Sequence, residues 1–329
     1  MEKQISQLTS PQKHPSKRRL AVFASYDRNH LVNNYVVYYL KELNKVSDII
    51  FVADNSLSET EKEKIRPLTI NIIAERHGEY DFGSYKRGYL WAEENDLIGH
   101  YEQLIYCNDS VFGPIHPFGP IFSSMEKKQE LDFWGMFMIK AEAKTEENIR
   151  KKDYAHSYFI VFSCKVATSV AFNNFMYGIT KLQNKDAIIK EYEVGLSQIL
   201  INKGFRGDGY MSGPYNTPHR KGALSLIKNG FPFLKKSLFD LKYLSVKAWC
   251  YNLWRYKSII AKSAPNYPIH FTEEYLHSYV GKKKLQKQLL KLRFRIPVIS
   301  RFFFYKKVTK SGYLVVKILS IPVYRRKQS

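Results

Sequence analysis

Gln103-Leu104-Ile105-Tyr106-Cys107 is a mostly apolar run that breaks at Asn108-Asp109-Ser110 and enters a loop punctuated by Gly113, Pro114, Pro117 and Pro120. A short apolar run closed by turn formers reads as a buried strand with polar residues at its carboxyl end. The same shape recurs upstream. Leu20 to Ser25 is one such run, Ser47 to Ala53 a second that ends at Asp54-Asn55-Ser56, and Leu68 to Ala74 a third. Between them, Leu31 to Lys45 sets apolar residues on a helical spacing and Ser58 to Arg66 forms a short charged helix stopped by Pro67. Gly83 to Asn95 forms another helix, after Tyr80-Asp81-Phe82. Strands alternating with helices predict an α/β fold whose mainly parallel sheet is covered on both faces. Sheets of this kind bind ligands beyond the carboxyl ends of their strands, which singles out Ser25, Asp54 and Asp109.

Downstream the mixed pattern continues. Asp132 to Ile139 and Tyr158 to Ser163 read as strands, Lys165 to Phe175 as a helix, and Glu193 to Asn202 as a helix closed by Gly204. After Gly213 the chain turns to short elements rich in aromatics and lysine, and no internal repeat is present.

The net charge of +22 invites a nucleic-acid reading, but Gly281 to Ser329 holds 15 Lys or Arg and no acid. The rest of the chain carries 37 basic and 30 acidic residues, so the basicity belongs largely to a tail. Cys107, Cys164 and Cys250 are far apart with no C-x-x-C pair, which disfavours a zinc site or disulfide framework. Residues 1–18 are polar, with Pro11 and Pro15, and read as a disordered arm without the apolar segment of an export signal. No run of about 18 apolar residues is present, so a cytoplasmic location is expected.

Several residues carry candidate chemistry. Asp109, flanked by Asn108 and Ser110, either ligates Mg²⁺ or Mn²⁺ through oxygen or makes an Asx turn. Asp54 either accepts the imide N–H of a pyrimidine base or lies ahead of a helix capped by Ser56 or by Ser58 with Glu61. Asp81 either caps a helix or faces a nucleotide. The Asp81-Phe82-Gly83 triplet lacks the other signatures of a kinase, no P-loop occurs, and Gly204, Gly207 and Gly209 make no dinucleotide fingerprint. Glu193, near the start of a helix, either complements the helix dipole or serves as a general base toward an acceptor hydroxyl.

Five segments together carry a resemblance. They are Tyr80-Asp81-Phe82-Gly83-Ser84-Tyr85-Lys86, Tyr106 to Pro114, Asp132-Phe133-Trp134-Gly135-Met136, Glu193-Val194-Gly195-Leu196-Ser197 and Asn229-Gly230-Phe231-Pro232-Phe233-Leu234-Lys235. Over roughly residues 20 to 240 the chain resembles the rhamnan-synthesis F family of bacterial polysaccharide glycosyltransferases, and through it the GT-A fold. The resemblance implies that Asp54, Asp81, Asn108, Asp109 and Ser110 bind a nucleoside diphosphate sugar, with Asp109 as the metal ligand for Mg²⁺ or Mn²⁺. It further implies an inverting mechanism with Glu193 as the base, and L-rhamnose or another deoxysugar as the transferred group. Where one aspartate replaces the common pair, Lys86 or Arg87 becomes a candidate to offset diphosphate charge. Trp134, Phe133, Tyr210 and Tyr215 are candidates to stack on acceptor sugars.

The expected domain organisation is a 1–18 arm, a 19–240 GT-A-like domain and a basic, aromatic-rich, helical extension over 241–329. Lys282 to Arg295 alternates cations with leucines, and Phe302 to Lys307 adds aromatics. That pattern fits an anionic membrane surface, with nucleic acid and solvent as rivals. It predicts an enzyme peripheral on the inner face of the cytoplasmic membrane, working on a lipid-linked glycan and not on nucleic acid. The competing class is a non-catalytic glycan- or nucleotide-binding component of a polysaccharide assembly complex.

Overall fold

The computed structural model describes residues 19–128, 130–141, 152–214, 218, 222–240, 246–279, 304–308, 313–318 and 321–327. The expected arm at 1–18, the cationic stretch 280–303 and Tyr215 lie outside the described residues. The chain divides into two compact units, residues 1–240 with 252–275, and residues 241–251 with 276–329.

The first unit is built on an eight-stranded sheet. Its strands are β1 (Arg19–Ser25), β2 (Asp48–Ala53), β3 (Asn71–Ala74), β4 (Gln103–Asn108), β6 (Phe133–Ile139), β7 (Tyr154–Ala155), β8 (Phe159–Ser163) and β9 (Gly207–Gly213). The order is β3-β2-β1-β4-β8-β6-β7, with β9 paired to β6. The first four strands are mutually parallel, β8 runs antiparallel to both β4 and β6, and β9 is parallel to β6. This is the mainly parallel α/β sheet expected, flanked by helices. A separate two-stranded ladder joins β5 (Val111–Phe112) to β10 (Leu234–Lys235).

Connecting helices are α1 (Asn34–Asn44), α2 (Glu59–Glu63), α3 (Tyr80–Glu94), α4 (Phe118–Glu126), α5 (Cys164–Ala167) and α6 (Val170–Tyr177). After them come α7 (Lys185–Ile188), α8 (Gly195–Asn202), α9 (Gly222–Lys228), α10 (Val246–Ser263) and α11 (Ile269–Tyr279). The single helix expected over Lys165 to Phe175 is two, because the Ser163 and Ser169 hydroxyls each cap a new start.

β1 is the axis of the core. Its alternate residues Leu20, Val22 and Ala24 join a buried cluster with Phe82, Tyr85, Tyr89 and Ala92 of α3. Phe23, one residue out of phase with them, meets Tyr39 of α1 edge-on at 5.0 Å. Helix α3 approaches β1 closely because Gly88 has no side chain: a Cβ there would lie 2.3 Å from Val22 Cγ1. The approach fixes α3, and with it the residues at its amino end.

The second unit contains β11 (Phe304–Val308), β12 (Tyr313–Ile318) and β13 (Ile321–Lys327), an antiparallel three-stranded sheet. The extension expected to be helical is so over Val246–Ser263 and Ile269–Tyr279, and is this sheet over β11 to β13. Val308, Val315, Val316, Ile318 and Ile321 account for it, since β-branched residues favour strands. Among the described residues no helix is long and apolar enough to cross a membrane.

Candidate functional site

Strands β1, β2 and β4 run parallel and end at Ser25, Ala53 and Asn108, so Tyr26, Asp54 and Asp109 emerge at one sheet edge. Asp109 Oδ2 accepts from the Ser25 hydroxyl at 3.0 Å and from the Tyr26 N–H at 3.3 Å. Asn108 Oδ1 accepts from the Ser110 N–H at 3.0 Å, which is the Asx turn. Its Nδ2 donates to Asp81 Oδ2 at 2.8 Å and to the Tyr85 hydroxyl at 3.2 Å. The turn and the candidate site are thus one structure. The turn presents Asp109 and ties Asn108 to α3.

Asp81 lies inside the first turn of α3, whose N-cap position is Glu79, so the capping alternative does not apply. The residue as a whole is half-buried. Its carboxyl is nonetheless enclosed enough that loss of water, and then the charge of Asp109, push it up to about 7. Lys185, Lys235 and Glu193 act on it as well. Tyr80 beside it is 51% exposed and adopts a left-handed backbone with φ 58°.

Asp54 is committed locally. Its Oδ1 accepts from the His77 and Gly78 N–H groups at 2.8 and 2.7 Å, and its Oδ2 pairs with Arg76 at 2.9 Å. It anchors the chain between β3 and α3, where Gly78 has φ 71°. The expected Ser58 cap is present, accepting from the Glu61 N–H. The Glu61 carboxylate accepts from the Val32 N–H and pairs with Lys64.

Glu193 sits in a π-helical turn, residues Ile189–Val194, directly ahead of α8. Its Oε1 accepts from the Ser157 N–H at 2.7 Å, the Ser157 hydroxyl at 2.9 Å and His156 Nδ1 at 3.2 Å. Burial opposes its ionisation, but the His156 contact, the Lys235 charge and the Ser157 N–H outweigh burial and hold the carboxyl at about 2. Burial pushes His156 itself below the ordinary histidine range.

A chain of hydrogen bonds connects the two acid positions. Asn108 donates to the Tyr85 hydroxyl, Tyr85 donates to the Ser157 carbonyl at 2.8 Å, and Ser157 donates to Glu193. The structure therefore brings Asp81, Asn108, Asp109 and Glu193 together, with Asp54 holding the adjacent turn.

Two residues without a role in the sequence reading complete the group. Lys235 and Lys236 follow Gly230-Phe231-Pro232-Phe233-Leu234, a segment singled out only for its resemblance. The Lys235 ammonium lies 3.9 Å from the centroid of the Tyr158 ring. Burial lowers its pKa to about 8, with Glu193 and Asp81 resisting that shift and Lys185 adding to it. Lys236 Nζ donates to the Tyr35 hydroxyl at 2.8 Å and lies 3.7 Å from Asp109 Oδ1. The candidates named earlier are spent elsewhere: Lys86 donates to the Tyr177 and Ile179 carbonyls, and Arg87 pairs with Glu75 and Glu79. Phe133 and Trp134 are buried in the core, so neither stacks on a sugar. Tyr210 is half-buried on β9.

For a divalent ion the donor set is thin. Asp109 offers a single carboxylate already bonded through Oδ2, and both polar atoms of the Asn108 amide are engaged. Among the described residues no group of three metal-ligating side chains occurs. These residues do not make a protein-held metal cage of the kind hard cations prefer.

A family model described as rhamnan synthesis protein F matches residues 49–269. The virulence protein VirA of Vibrio anguillarum is 26% identical over 260 residues, which is 68% of this chain and 80% of that protein. Among solved structures, a 4-diphosphocytidyl-2C-methyl-D-erythritol synthase aligns with a TM-score of 0.37 at 9% identity, covering 61% of this chain and 91% of its own. The mannosyltransferase Ktr4p of S. cerevisiae, in complex with GDP, aligns with a TM-score of 0.32 at 10% identity, covering 48% and 60%.

Proposed function

The chain belongs to the rhamnan synthesis protein F family, and from that premise we propose that it is a glycosyltransferase. It transfers a sugar, L-rhamnose or another deoxysugar, from a nucleoside diphosphate donor to a hydroxyl of a growing cell-surface polysaccharide. The observation that carries this reading is the hydrogen-bonded chain from Asn108 through Tyr85 and Ser157 to Glu193. It couples Asn108, at the strand end where α/β sheets receive ligands, and the Asp81 carboxylate that Asn108 bonds, to a second acid, Glu193.

In the proposed reaction the donor lies against the edge formed by Tyr26, Asp54, Asp81 and Asn108-Asp109-Ser110. All three bonds to Glu193 fall on Oε1, which leaves Oε2 to face an acceptor hydroxyl. A carboxyl held at about 2 is a weak base toward a resting alcohol. Proton transfer therefore comes late, when bonding to the anomeric carbon has made the hydroxyl acidic. Attack opposite the leaving diphosphate inverts the anomeric centre. Were a divalent metal to accompany the donor, Asp109 is the residue that would hold it, and the metal would offset diphosphate charge.

Purified Asp109→Ala and Glu193→Gln variants test the assignment. Both are expected to keep the wild-type circular dichroism and lose transfer, Glu193→Gln by about 10²–10⁴-fold. Near-normal turnover in either variant removes that residue from the mechanism.

The second part of the proposal concerns place. The cationic stretch from 281 onward holds the enzyme at an anionic membrane surface beside a lipid-linked acceptor, on the cytoplasmic side. Flotation of the full chain with anionic but not neutral vesicles is the expected outcome, and no flotation with either overturns it.

A further inference from the structure

We infer that Lys235 and Lys236 supply the positive charge that the departing nucleoside diphosphate requires, in place of a metal ion held by the protein. The inference rests on the glycosyltransferase reading and deepens it.

The geometry begins with β10, which pairs antiparallel to β5 so that Lys235 lies opposite Val111 and Leu234 opposite Phe112. The Lys236 N–H donates to the Ser110 carbonyl at 3.0 Å. Both lysines are therefore docked by backbone bonds directly beside Asn108-Asp109-Ser110. Lys235 ends β10 and Lys236 opens the 3-10 turn Lys236–Phe239 that follows it, and the two ammonium groups part there. Lys235 goes over Tyr158, within the field of Glu193 and Asp81. Lys236 goes to Asp109 and over the Tyr35 and Tyr275 rings, at 5.1 and 4.9 Å from their centroids.

Among the described residues neither ammonium is saturated by the contacts around it. Among the described residues Lys235 receives ring contact but makes no hydrogen bond through Nζ, although an ammonium carries three donors. Lys236 makes one, to a neutral hydroxyl, and its nearest carboxylate oxygen is beyond hydrogen-bond length. Both residues are half-buried and so remain reachable from solvent. Two enclosed, under-bonded cations beside an acid cluster suit an incoming ligand that brings several negatively charged oxygens. The other basic candidates, Lys86 and Arg87, are bonded to carbonyls and glutamates and lack that capacity.

In the step itself, the acceptor oxygen forms a bond to the anomeric carbon as the bond from that carbon to the β-phosphate oxygen breaks. The electron pair of the broken bond stays on the phosphate, where the two ammonium groups meet it. The acceptor proton passes to Glu193. Donor and alcohol thus become glycoside, nucleoside diphosphate and one proton, with no further reactant.

Calorimetric titration of the full chain with UDP, dTDP, GDP and CDP in EDTA, and again with Mn²⁺, tests the inference. At least one of them is expected to bind in EDTA. Lys235→Gln and Lys236→Gln are each expected to weaken that nucleotide about ten-fold while leaving binding of the parent nucleoside unchanged. Lys236→Arg, which keeps the charge, is expected to recover most of the loss. Binding that appears only with Mn²⁺, or Gln variants that bind the diphosphate as wild type does, overturns the lysine assignment and leaves the glycosyltransferase reading standing. Failure of all four nucleotides to bind wild-type protein under either condition overturns both.

Discussion

Replacing Asp81 by asparagine is expected to stabilise the protein at alkaline pH and to abolish its activity. The side chains have the same shape, and an asparagine oxygen can still accept from Asn108 Nδ2. What the change removes is a charge that the fold disfavours. Burial first and Asp109 second raise the Asp81 carboxyl from an ordinary 3.8 to about 7. Below about pH 4 the folded and unfolded chains both carry this proton, and Asp81 does not affect stability. Between about 4 and 7 only the folded chain keeps it, so this group's contribution to stability falls as pH rises, and above 7 the penalty is complete. Each pH unit is worth about 1.4 kcal/mol, which bounds the penalty at about 4 kcal/mol. Solvent reaching a half-buried residue screens the interaction, and about 2 kcal/mol is the expected size. Urea unfolding of wild type and Asp81→Asn at pH 4.5 and pH 8 measures it, because other titrating groups cancel in the comparison. The variant is expected to gain most at pH 8 and little at pH 4.5. A variant destabilised equally at both values refutes the reasoning and makes Asp81 a structural residue. Stabilisation combined with lost turnover is the usual mark of a residue kept for function.

Two further substitutions test how the site is held. Asp54→Ala removes the acceptor of two backbone N–H groups and the partner of Arg76, and is expected to cost about 2–3 kcal/mol in urea unfolding; unchanged stability with lost nucleotide binding assigns Asp54 to the ligand instead. Gly88→Ala puts a methyl group 2.3 Å from Val22 Cγ1 and is expected to cost about 1–3 kcal/mol, with a wild-type Tm contradicting the close approach.

Much of this was readable in the chain. The parallel half of the sheet follows from apolar runs separated by helical spacings, and the polar residues at the strand ends follow from strand direction alone. Two kinds of feature escaped. The basic extension carries cations and aromatics compatible with a helix, while Val315, Val316 and Ile318 favour the strand that the structure shows. The roles of Lys235 and Lys236 were not visible because they depend on pairing between β10 and β5, segments over a hundred residues apart. Likewise, sequence cannot tell that Lys86 and Arg87 are already bonded, since their partners are carbonyls and glutamates fixed by tertiary packing. Asn108 and Asp109 offered a choice between turn and site, and the structure realises the turn as the means of presenting the site.

The central claim is transfer from a nucleoside diphosphate sugar, and the most direct measurement is release of nucleoside diphosphate from a panel of such donors. The donors are incubated with the full chain and lipid-linked glycan. The account predicts release from at least one donor, dependent on acceptor and absent in Glu193→Gln. No release from any donor, with the same protein folded and the acceptor present, contradicts it and favours a non-catalytic glycan- or nucleotide-binding component.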